Sequence, residues 1–172
     1  MLARQFDVEQ PDQVWVGAIT SLGTTEGWLY LAVLLALYSR KVVGCALSHR
    51  GDVAFVQDAL QMALGRRQPA VGLIHHSDRG SQEACGAYQA LLAAHGIRCR
   101  MSRQGNGLDN AVAERFFGSL NGECTSLHHG ARRQEAREAV IAYIEMFYNS
   151  KRLHSYLGYL SPHAFEDFTN AA

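Results

Sequence analysis

Asp78 follows directly on a short apolar run, residues 71–76, and Glu114 falls in the first turns of an amphipathic segment, with thirty-five residues between them. A carboxylate at a strand end and another on a helix packed against the sheet can converge on one cation. Hard ions such as magnesium take oxygen ligands of this kind. Taken alone, the pair has two readings: a metal site, or the solvated and capping acids that are common at such ends. His75 and His76 read as strand-end residues beside this site rather than ligands. The cysteines Cys45, Cys85, Cys99 and Cys124 contain no CxxC pair, and His128-His129 lacks partner spacing, so no zinc site or disulfide framework is indicated. The four thiols read as reduced side chains of a cytoplasmic protein.

These acids must be placed by the surrounding elements. Residues 14–22 put Val14, Val16, Ala18, Thr20 and Leu22 on one face of a strand. Residues 28–37 and 42–48 read as two further strands on short connections, which implies an antiparallel meander. Asp52 is placed to cap a helix carrying Val53, Val56, Ala59, Leu60 and Ala63. A strand over 71–76, a helix over 82–95 and a strand over 97–102 follow, then a glycine-rich loop over 103–108. Helices over 110–120 and 133–148 and a short one from Pro162 complete the chain. Trp15, Trp28, Phe116 and Phe117 are expected in the core. The order predicts an α/β fold with a mixed five-stranded sheet, three antiparallel strands then two parallel, flanked by helices. Residues 1–13 read as an arm and 14–172 as one domain.

At 172 residues, 48% hydrophobic and 19% charged, with three prolines, the chain is neither disordered nor low-complexity. Sixteen basic residues balance sixteen acidic ones, so any affinity for nucleic acid must come from local patches. The longest apolar run, residues 28–38, is about half the ~20 residues that span a bilayer, and no secretory signal pattern opens the chain.

Three stretches, HSDRGSQ (76–82), DNAVAERFFGSL (109–120) and FYNSKRLHSYLGYLSPHAFE (147–166), resemble bacterial insertion-sequence transposases. The similarity is to their integrase-like second-frame protein, whose core is shared with retroviral integrases. VWVGAIT and EGWLYLAVLLALYSRKVVG resemble the same proteins, so the likeness runs over nearly the whole chain. It implies a ribonuclease-H-like fold, DNA as partner, and two divalent ions, Mg2+ or Mn2+, held by two Asp and one Glu. One ion activates the attacking hydroxyl and the other stabilises the leaving oxygen. The second Asp maps onto Asp78 and the Glu onto Glu114. The first belongs in a Thr-Asp-Ile-Thr strand that here reads Gly17-Ala18-Ile19-Thr20.

Ala18 therefore stands where the resemblance calls for the Asp that bridges both ions. Metal-based charge stabilisation is worth several kcal/mol, and each ~1.4 kcal/mol is tenfold in rate, so a loss of roughly a thousandfold or more is expected. Glu26 is an acid that could substitute, but it falls in the turn beyond the strand. Further departures are Gly17, Leu35-Ala36-Leu37 in place of a run with an Asp, Leu108 for a Trp, and Asn121 for a Lys that faces DNA. Singly each fits harmless variation; with Ala18 they read as a copy no longer held to catalysis.

Arg98, Arg100 and Arg103 alternate along the fifth strand and into the loop, which suits a basic groove wall and makes Arg100 and Arg103 candidate DNA contacts; Arg79, Asn110 and Asn121 are further candidates, and the resemblance implies a DNA or intersubunit role for Lys151, Arg152 and His154. Other readings stand beside these: Asn110 as a helix cap, Lys151 and Arg152 as a helix end favoured by its dipole, Arg98 and Arg100 as a soluble sheet edge. Family members carry a DNA-binding region ahead of this core, and the chain reads as a core without it. The expected activity is DNA strand cleavage and transfer, absent or strongly impaired. The alternative is a non-catalytic DNA-binding module or one that associates with itself or with active transposase subunits.

Overall fold

The alternation that begins at Val14 produces β1 (Val14–Thr24), which turns through Thr25 and Glu26 into β2 (Gly27–Ala36) and then β3 (Val42–Ser48), all antiparallel. The computed structural model describes residues 8–77, 85–101 and 111–172. On the other side of β1 lie β4 (Ile74–Ser77) and β5 (Arg98–Met101), both parallel, so the sheet order is β3-β2-β1-β4-β5. Three antiparallel strands followed by two parallel ones is the arrangement expected from the lengths of the connections.

Period-two alternation sends the residues of β1 into two different cores. Trp15 joins Leu34, Val43, Phe55, Leu60, Tyr88 and Leu92, under α1 (Val53–Arg67) and α2 (Gly86–Ala94). Val16, Ala18 and Leu22 join Val33, Phe116, Leu120, Val140 and Ile144, under α3 (Ala111–Glu123) and α4 (Arg133–Ala142). Gly44 lets α1 approach β3 closely, because a Cβ there would collide with the Ala59 carbonyl oxygen. The chain ends in α5 (Pro162–Asn170), whose first turn is capped by Ser161 Oγ accepting from the Ala164 N–H at 3.2 Å.

Some expectations are corrected. The fourth strand begins at Ile74, not 71, because Gly72 at φ +102° and Val71, 85% exposed, form a turn. Trp28 is not core: it is 57% exposed, opposite Gly23 near the turn end of the β1–β2 hairpin. Trp15 and Phe116 are fully buried as expected, and Phe117 is partly buried against the same core as Phe116. Asp52 occupies the N-cap position of α1 but makes no side-chain capping bond. The helix over 133–148 changes register, with residues Tyr143–Tyr148 forming a π-helix. Such a wide turn is a local device that periodicity does not reveal, and it often accompanies function.

Candidate functional site

The pairing registers place the site. Ala18 lies in mid-β1 opposite Val33, and Val16 is level with His76 of β4, which is level with Arg100 of β5. Residues level in a sheet share a face, so Ala18, His76 and Arg100 belong to the face covered by α3. Ala18 is 5% exposed and shares its core with Ala113, the residue before Glu114. Glu114 itself is exposed in the first turn of α3. Position 18 and the Glu114 helix are thus brought to one sheet face by ordinary amphipathic packing. Asp78, Arg79, Arg103 and Asn110 lie outside the described residues.

Glu26 is engaged elsewhere. Its Oε2 accepts the Arg133 N–H at 2.8 Å, an orphan donor at the start of α4. This carboxylate oxygen is thus holding a helix end.

Much of the 147–166 motif is scaffold. Buried Asn149 pins β3, its Oδ1 accepting from Val42 N–H at 2.9 Å and its Nδ2 donating to Val42 O at 3.0 Å. Glu166, 5% exposed, accepts from Arg67 through both oxygens at 2.9 and 3.0 Å, from Ser39 at 2.7 Å and from Lys41 at 3.2 Å. Burial raises its pKa, but the bonds from Arg67 and Ser39 outweigh this and hold the carboxyl below its ordinary value. Arg67 also reaches Asp12, which ties the segment before β1 to the domain.

Arg152 donates from Nε to both oxygens of Glu123 at 3.0 Å, while the Tyr143 hydroxyl donates to Glu123 Oε2 at 2.6 Å. His154 stands edge-on to Tyr148, with ring centroids 5.1 Å apart, and its Nε2 is buried without a partner. Burial, then the charges of Arg152 and Arg40, push its pKa down to about 4, so it is neutral at pH 7. Lys151 is exposed, and Asn121 accepts a bond from Thr125 Oγ1 at 3.1 Å.

Between this segment and α3 runs an open groove of about 1000 Å³. Its floor includes Ala111, Gly118 and Gly122 of α3, and Arg40, Arg115, Arg152, Tyr156 and Tyr159 line it. Sequence reasoning singled out neither Arg40 nor Arg115 nor the two tyrosines, because Arg40 comes from a distant hairpin and the tyrosines merge into a longer motif. The Gly118 and Gly122 spacing on one helix was the available signal.

Among the described residues no group of three His, Cys, Asp or Glu side chains could hold a metal. The buried methyl of Ala18 offers no oxygen, and Glu114 presents an exposed carboxylate from the first turn of α3.

Residues 8–107 match the family model "Integrase core domain", and 95–162 match a second model of that description. The chain is 46% identical over 167 residues to transposase InsF for insertion sequence IS3A of Escherichia coli (strain K12), covering 97% of this chain and 58% of that protein. It is 42% identical over 165 residues to the transposase for insertion sequence element IS904 of Lactococcus lactis, covering 96% and 65%. The chain thus spans about three-fifths of the length of these relatives. Among solved structures it is similar to the catalytic core domain of BIV integrase, with TM-score 0.68, 16% identity, and coverage of 94% of this chain and 99% of that one. The HTLV-2 integrase catalytic core in complex with magnesium, in trimeric form, gives TM-score 0.66 at 14% identity, covering 85% and 90%. The fold is ribonuclease-H-like. No helix among the described residues is long and apolar enough to cross a membrane.

Proposed function

Because the chain belongs to the integrase core domain family, we propose that residues 14–172 act as the catalytic-core unit of a DNA transposition protein whose metal-dependent strand cleavage and transfer is strongly impaired. The observation that carries the reading is Ala18: a buried methyl in mid-β1, on the sheet face that also packs Ala113 beside Glu114. Asp78, two residues after His76 in sequence, and Glu114 are the remaining metal ligands. Magnesium or manganese, where bound, supplies charge stabilisation at a DNA phosphate. With one carboxylate of three lost, the two-ion arrangement fails even though the fold persists.

DNA contact falls to Arg79, Arg100, Arg103, Asn110, Asn121, Lys151 and Arg152, with neutral His154 supporting the Arg152 segment rather than adding charge. The intact packing around Ala18 favours a second reading, a folded but non-catalytic subunit that binds DNA or associates with itself or with active transposase subunits. Native co-purification with a full-length relative, accompanied by reduced transposition, supports that reading, and absence of association removes it.

Calorimetric titration with manganese of this chain and of Ala18→Asp tests the main reading. Metal binding by Ala18→Asp alone, abolished on adding Glu114→Gln, is the expected result. Tight binding by the unmodified chain means another ligand has replaced the lost Asp and overturns the impairment.

A further inference from the structure

The groove beside α3 has three features that the metal site does not use. It is lined by three guanidinium groups, Arg40, Arg115 and Arg152, and one carboxylate, Glu123. Glu123 is taken by Arg152, and among the described residues neither Arg40 nor Arg115 has an ion-pair partner. In a chain of zero net charge this is a local positive excess.

The second feature is an exposed aromatic surface. Tyr156 is 52% and Tyr159 70% exposed, and the Arg40 guanidinium lies 4.0 Å over the Tyr156 ring. The third is backbone strain. Of the four non-glycine residues at positive φ among those described, two line this groove, Arg40 at 60° and Tyr159 at 62°. A bulky residue in that region costs free energy and persists only where its surroundings hold it. The Tyr159 N–H donates to His154 O at 2.8 Å, and the His154 N–H to Leu160 O at 3.1 Å, fixing the turn. That turn holds the Tyr159 ring mostly in solvent.

From these observations we infer that the groove is a binding site for single-stranded nucleic acid, with bases stacked on Tyr159 and Tyr156 and phosphates on Arg115 and Arg40. Unpaired cations interleaved with exposed aromatic rings are what an unpaired strand recognises, since every base has a π-face and duplex bases are already stacked. Groove-lining positions 111, 115, 118 and 122 sit roughly a quarter-turn round α3 from Glu114. A strand leaving the Glu114 face therefore enters the groove directly. The inference rests on the proposed action on DNA and names the form of DNA this surface takes.

Fluorescence anisotropy with a labelled oligo-dT strand and a duplex of equal length tests it on the whole chain. Tyr159→Ala weakens single-strand binding by about five- to a hundredfold and leaves duplex binding unchanged, while Tyr159→Phe, which still stacks, retains affinity. Arg115→Ala weakens single-strand binding and lowers its salt slope by about one. Tyr159→Gly relieves the strain, so its melting temperature rises while single-strand affinity falls, which separates loss of binding from loss of fold. Unchanged single-strand affinity in Tyr159→Ala, with duplex binding intact, overturns the groove assignment and spares the DNA-acting reading. Failure of the unmodified chain to bind either probe overturns both. Loss of self-association in sedimentation, with DNA binding unaffected, assigns the groove to a protein segment and also overturns it.

Discussion

Arg152 and Glu123 form a forked ion pair, the Nε of one lying 3.0 Å from each carboxylate oxygen of the other, with the Tyr143 hydroxyl completing the cluster at 2.6 Å. The pair spans the groove between α3 and the segment after the π-helix. Desolvation, then the bond to Glu123, raises the Tyr143 pKa, which keeps its hydroxyl protonated and donating. A cation proposed to contact DNA is thus already balanced by an acid on the helix that carries Glu114.

Glu123→Gln should therefore raise DNA affinity while lowering stability. Removing one anion from the groove steepens the salt dependence of binding by about one counterion. The weakened contacts to Arg152 and Tyr143 cost about 1–2 kcal/mol of unfolding free energy. Anisotropy titrations at several salt concentrations and urea unfolding check the two halves. A flat salt slope relative to the parent chain counts against a role for Arg152 at DNA.

Ala18→Asp should behave as a metal-dependent stability switch. Its carboxylate is introduced at a site 5% exposed in the parent, so in chelator the variant is destabilised by several kcal/mol or titrates toward neutrality. Saturating manganese at about a hundredfold over Kd restores roughly 2.7 kcal/mol. Thermal unfolding with and without metal reads this directly. The parent should show little metal response, and equal metal shifts in both chains contradict the assignment of position 18.

Glu166→Ala should be among the most damaging substitutions in the 147–166 motif. It takes the buried carboxylate from Lys41 and leaves Arg67 with Asp12 alone, and breaking a buried ion pair from one side costs about 3–5 kcal/mol. Lys151→Ala, on an exposed side chain, should alter stability by less than about 0.5 kcal/mol. Chemical denaturation of the two variants distinguishes scaffold from surface within one motif.

Stability should decline as pH falls from about 6.5 toward 4. His75 is fully buried, its Nε2 is 2.9 Å from the Tyr88 hydroxyl, and burial pushes its pKa from 6.5 down to about 4. Between those values the unfolded chain binds a proton that the folded chain refuses, so stability rises with pH through this window and levels off above it. The loss from His75 is on the order of 3 kcal/mol by pH 4. Urea unfolding at pH 7, 6 and 5 measures it, before the Glu166 carboxylate adds its own loss below about 4.5. In His75→Gln the remaining slope belongs to His154, and an unchanged slope removes His75 as the cause.

Particular residues mark where reading by sequence succeeds and where it stops. Val16, Ala18 and Leu22 alternate cleanly, so the face they share was legible, and with it the departure at Ala18. Trp28 was not legible as exposed, because hydrophobicity does not reveal that a residue sits near the turn end of a hairpin with its side chain in solvent. Glu26 is legible as a turn residue, but its bond to the Arg133 N–H depends on α4 starting beside the β1–β2 turn, 107 residues away in sequence.

By itself the sequence determined the element order, the mixed sheet, the family and the absence of an acid at position 18, because these follow from local periodicity and residue identity. Tertiary structure alone decided that Glu166 and Asn149 are scaffold, that Arg152 is paired with Glu123, and that Arg40, Arg115, Tyr156 and Tyr159 line one groove. Those roles depend on which distant side chains meet and how well they are desolvated. Charge, hydrogen bonding and strain take their values only once the chain has closed on itself.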